Sequence, residues 1–64
     1  MYLITAFEPK TQRTILVSTH ETASAALAAY SAAEESHPDL QIEASAEGYI
    51  DHDELSRRAA AEAA

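Results

Sequence analysis

Three histidines stand near carboxylates in this chain. His20 precedes Glu21, His37 is close to Asp39, and His52 lies between Asp51 and Asp53. Imidazole and carboxylate together can bind a divalent metal or pass a proton. A zinc or manganese site needs several converging ligands with hydrogen-bonded support behind them. Here the histidines fall at separate element boundaries, and no H-x-x-x-H pair puts two on one helix face. They read as polar residues of helix ends and loops. The run Asp51-His52-Asp53-Glu54 begins like a calcium loop, but the turn glycine and the later oxygen ligands are missing. Ser18, Ser24, Ser31, Ser36, Ser45 and Ser56 offer hydroxyls, and none sits in a nucleophile elbow. With one glycine, the chain cannot form a phosphate-cradling loop. Paired carboxylates are plentiful, yet acid–base catalysis needs a pocket that perturbs their pKa values. A chain of 64 residues can hardly enclose one. The reading is a non-enzyme with no catalytic, metal or cofactor-binding residues.

Charge is more informative than chemistry. No lysine or arginine occurs between Arg13 and Arg57, and that gap holds nine acids. Glu35, Asp39, Glu43, Glu47 and Asp51 recur at every fourth position. A net charge of −7 on so small a chain creates a strong negative field. Direct binding to nucleic acid or anionic lipid is disfavoured, because both are drawn to basic patches. The four cations, Lys10 and Arg13 on one side and Arg57 and Arg58 on the other, are too few for a nucleic-acid footprint. A basic protein surface is the expected partner.

The elements that must carry this charge can be read from periodicity. The length allows one domain with a marginal core. Alanine supplies fifteen of the thirty hydrophobic residues, so the core has few large side chains. There is no cysteine, no apolar run able to span a bilayer, and no basic, secretory-type start. A cytoplasmic location follows as the expectation. Tyr2–Glu8 and Thr14–Thr19 read as two strands joined by a polar connection from Pro9 to Arg13. A helix follows to about Ser36, opened by a Ser18–Glu21 capping box, with Thr19 or Thr22 as other N-cap choices. Its apolar stripe is Ala23, Ala26, Leu27, Tyr30 and Ala33. Leu40–Glu47 alternates as a third strand, and Gly48 marks a turn. Asp51 caps a short second helix, with Glu54 as box partner and Ile50 against Leu55 as a staple.

The fold class is α+β, a small β-β-α-β-α domain. Its three-stranded, mainly antiparallel sheet takes the order 2-1-3, or alternatively 1-2-3, with a helix on one face. Residues 1–58 make the domain, and 59–64 a frayed alanine-rich helical tail. Both early strands are apolar on both faces, and the second helix is a thin second cover. Leu3, Phe7 and Leu16 are then the face left over once the first helix covers Ile4, Ile15 and Val17. Such a face points to a homodimer, or another protein contact, through the sheet face or through strand-edge pairing.

Two functions fit. One is a small acidic inhibitor that occupies the basic surface of a nucleic-acid-binding protein, as phage-encoded inhibitors of the anti-CRISPR or DNA-mimic type do as a class. Its binding surface is Glu34, Glu35, Asp39, Glu43, Glu47, Asp51, Asp53 and Glu54. The other is an antitoxin-like or accessory module that binds a specific protein through Leu3, Phe7 and Leu16. A third reading leaves the charge with no role beyond keeping the chain in solution.

Overall fold

The computed structural model describes residues 1–63. Strand β1 spans Tyr2–Glu8 and β2 spans Arg13–His20. Helix α1 covers Ala23–Ser36. Strands β3 (Gln41–Ser45) and β4 (Tyr49–Ile50) precede helix α2, His52–Ala63. The sheet has the order β2-β1-β3-β4, and every neighbouring pair is antiparallel. The α+β class and the 2-1-3 order therefore hold, with a fourth strand in place of the expected three. β4 escapes a periodicity reading because two residues carry no alternation. It exists because the Gly48 turn, closed by Ala46 N–H on the Gly48 carbonyl at 2.9 Å, folds Tyr49 and Ile50 back on Ser45 and Ala44.

The β1–β2 connection ends at Gln12, whose φ of 57° is left-handed and whose N–H reaches the Glu8 carbonyl at 2.6 Å. Gly48, in contrast, has no left-handed φ, and a Cβ built there meets nothing within 4 Å. Gly48→Ala should therefore raise stability by about 0.4–1 kcal/mol, by restricting the unfolded chain. A lower urea midpoint than wild type would reject that expectation.

Helix α1 does not begin with the Ser18–Glu21 box. Ser18 is in β2, and Thr22 is the N-cap, its Oγ1 accepting from Ala25 N–H at 3.1 Å. Strand pairing wins because Tyr2 and Leu3 hold β2 in register through His20 and Thr19. Asp51 does cap α2, accepting from Glu54 N–H at 2.7 Å. The Glu54 carboxylate turns instead to Arg57 and Arg58.

One core joins the layers. Ile4 and Ala6 of β1, Ile42 and Ala44 of β3, and Ile50 of β4 are buried with Ala23 and Ala26 of α1 and Leu55 and Ala59 of α2. Both helices thus lie on the same face of the sheet. Among the described residues nothing supplies the expected second cover on the other face, because Ile50 points into the core and leads α2 directly against α1. The alanines at 23, 26 and 59 leave room for the two helix backbones to approach. The segment 59–63, expected as a frayed tail, is the last part of α2: Ala59 is buried and Glu62 is bonded to α1. The last residue of that expected tail, Ala64, lies outside the described residues.

Candidate protein-binding face

Antiparallel pairing decides which side chains share the open side of the sheet. Residues directly opposite one another point the same way. Ile4, Ala6, Ile42 and Ala44 face the helices, so Leu3, Thr5 and Phe7 face away. Leu3 is flanked by Thr19 and Ser45, Thr5 by Val17 and Glu43, and Phe7 by Thr14 and Gln41. Tyr49 extends the Leu3 row from β4 through its pairing with Ser45. The face therefore presents Leu3, Phe7, Val17 and Tyr49 around Thr5, with Glu43 in the central row. No lysine or arginine occupies any of these strand positions.

Leu16 does not belong to this face. It pairs with Ala6, which points to the helices. Val17 takes its place, 58% exposed, although the sequence pattern put it under α1. Ile15 was expected under α1 too. It sits where the register shifts, between the Ala6–Leu16 and Phe7–Thr14 pairs, and is 51% exposed. The shift is a β-bulge, which breaks the strict alternation on which a pattern reading depends. Tyr49, 71% exposed, was missed because its strand was missed. A tyrosine directly after a glycine turn is the available signal.

The eight expected acids do not form one patch. Glu34 and Glu35 end α1, Asp39 is in the α1–β3 connection, and Glu43 is on β3. Glu47 is in the β3–β4 turn, Asp51 is the α2 cap, and Asp53 and Glu54 are in the first turn of α2. The four-residue spacing crosses several elements and so makes no helical row. Glu54 and Glu47 are partly neutralised. Arg58 reaches Glu54 at 2.8 Å and Glu47 at 3.4 Å, and Arg57 reaches Glu54 at 3.0 Å. These bonds hold both carboxyls below their ordinary range. For Glu54 the Arg58 bond is the largest cause; for Glu47 a backbone N–H comes first and Arg58 second. Glu34, Glu35, Asp39, Glu43 and Asp53 make no ion pair among the described residues.

Tyr30 of α1 reaches the edge of β3. Its hydroxyl donates to the Ile42 carbonyl at 3.3 Å, on the edge of β3 beyond the short β4. Burial raises the Tyr30 pKa first, and the nearby Glu34, Tyr49 and Glu43 raise it further. The His52 ring lies 5.1 Å from Tyr30, centroid to centroid. The β3–β4 edge thus combines unpaired acids with aromatic rings, next to the open face.

The histidines stay apart. His52 packs on Tyr30, His37 closes α1 with its N–H on the Ala33 carbonyl, and His20 Nε2 lies 2.9 Å from Ser18 Oγ. A serine–histidine pair becomes a nucleophile only with a group that orients the imidazole and donors for an oxyanion. Among the described residues no hydrogen bond reaches the other His20 nitrogen. No helix among them is long and apolar enough to cross a membrane. No protein-family model, curated protein or solved structure matches the chain.

Proposed function

We propose that this protein is a small acidic binding protein that acts by occupying a basic surface of another protein. The observation that carries the reading is the uncovered sheet face. It is apolar at Leu3, Phe7, Val17 and Tyr49, acidic at Glu43, free of cations, and bordered by Glu34 at the β3 edge. Aromatic anchors with a charged surround suit a specific protein contact. The negative field speeds encounter with a basic partner and competes with phosphate. A basic nucleic-acid-binding protein is the matching target, and inhibition of the anti-CRISPR or DNA-mimic type the matching activity.

The test is capture of purified basic nucleases and repressors on the immobilised protein, with salt steps and DNA as competitor. Retention should fall with moderate salt and with DNA. Glu34→Gln with Glu43→Gln should reduce it severalfold. The same face supports a second reading, because Leu3 and Phe7 offer apolar area independent of charge. An antitoxin-like or accessory module would hold its partner through high salt, lose it on Phe7→Ser and keep it on Glu43→Gln. Retention indifferent to salt, DNA and both sets of substitutions would reject the two readings together.

A further inference from the structure

We infer that a second copy of this chain pairs with the free edge of β2, antiparallel and about a two-fold axis perpendicular to the sheet, with Val17 of each copy opposite the other.

The two edges of the sheet differ. β4 is a two-residue strand, and beyond it the Tyr30 hydroxyl caps Ile42 on β3. β2 is eight residues long, and among the described residues β1 is its only strand neighbour. Its outer backbone groups form a ready template for another strand. Leu16 and Val17 are 43% and 58% exposed, and no charge lies between Arg13 and Glu21 to discourage pairing. The helices leave this strand poorly covered. A cleft of about 370 Å³ separates it from α1, lined by Leu16, Ser18 and His20 on one side and Ala29, Ala33 and Ser36 on the other.

Charge selects the occupant and the direction. The chain is strongly negative, so two copies repel unless they meet where acids are few. Arg57 and Arg58 are used internally, whereas Lys10 and Arg13 make no ion pair among the described residues. Arg13 opens β2 and Glu21 follows its end. Antiparallel pairing centred on Val17 brings Arg13 of each copy beside Glu21 of the partner subunit, once the Ile15 bulge is allowed for. It also sets Leu16 against Ser18 of the partner subunit, at the mouth of the cleft. Parallel pairing would stack arginine on arginine. The contact is a strand edge of fewer than about 1,200 Å², which places it among transient interfaces. The open faces of both copies stay free, on the same side of one continuous sheet.

Because the chain has no cysteine, a single introduced one reports the contact. Opposed residues of an antiparallel pair have Cα atoms about 4.5–5.5 Å apart, within disulfide range. Val17→Cys should form a disulfide-linked dimer rapidly under mild oxidation. Thr19→Cys, with its two copies displaced by ~13 Å along the strands, should not. Both positions are exposed, and circular dichroism of each variant confirms the fold. In the Val17→Cys background, Arg13→Glu should slow linking severalfold, and adding Glu21→Arg should restore it. A Val17→Cys protein that stays unlinked, a Thr19→Cys protein that links as fast, or a charge swap that restores nothing would overturn the pairing.

Discussion

Leu55→Ala is expected to unfold a large part of the population. Leu55 is 0% exposed, and among the described residues it is the only large side chain that is fully buried. The rest of the core is alanine and isoleucine: Ala6, Ala23, Ala26, Ala44 and Ala59 beside Ile4, Ile42 and Ile50. Truncating a buried leucine removes about 2–5 kcal/mol, from lost transfer energy plus the cavity left behind. A 64-residue domain has a total stability of about 3–10 kcal/mol. The cavity cannot close easily, because the neighbouring alanines have no side chain to swing into it. Urea unfolding followed by far-UV circular dichroism gives the result directly. Leu16→Ala, on the exposed edge, is the control and should change the midpoint little. Equal midpoints for the two variants would show that α2 does not lock the core.

Glu62→Gln should cause the next largest loss. Helix α1 has no acid in its first turn, where a negative charge would offset the dipole and satisfy free N–H groups. Glu62 supplies that charge from α2. Its carboxylate accepts Ala23 N–H at 2.7 Å, Ser24 N–H at 2.9 Å and the Ser24 hydroxyl at 3.0 Å. The loss should exceed that of Glu35→Gln, an exposed acid with no such bonds, and fall short of Leu55→Ala. The same bonds make it pH-dependent. Those from the Ala23 and Ser24 N–H groups hold the Glu62 carboxyl below the ordinary glutamate value of 4.5. A depressed folded pKa gives stability that is complete above the unfolded value and is lost as pH falls through the folded one. Glu54 and Glu47, held below the same value, contribute with the same sign. Relief of the overall negative charge works the opposite way in acid. The informative quantity is therefore the difference between wild type and Glu62→Gln. It should be full at neutral pH, shrink from about pH 4.5 downward, and vanish once Glu62 is protonated. A difference that stays constant to lower pH would mean the cap does not depend on charge.

Much of this architecture is legible in the residues themselves. Tyr2–Glu8 and the alanine-rich α1 were set by local pattern, and Asp51 announced the start of α2 by its side-chain chemistry. The end expected at about Ser36 is where α1 stops. The 2-1-3 order follows from a hairpin and a helical return. Where sequence reading failed, a contact distant in the chain was responsible. Of the offered caps Thr22 holds and the Ser18–Glu21 box does not, because β1 holds β2 in strand register through His20. Helix α2 runs on to Ala63, because Ala59 is buried in the core and Ala23 and Ser24, nearly forty positions earlier, donate to Glu62.

What the sequence determined by itself was the charge, the scarcity of large core residues and the type of most elements, since these depend on composition and short-range periodicity. Only the tertiary structure decided that both helices share one side of the sheet. It also decided that the bulge at Ile15 separates Leu16 from Leu3 and Phe7, and that Val17, Tyr49 and Glu43 join them. The physical reason is that strand register and layer choice are set by pairing across the sheet. A one-residue shift sends every later side chain to the opposite face.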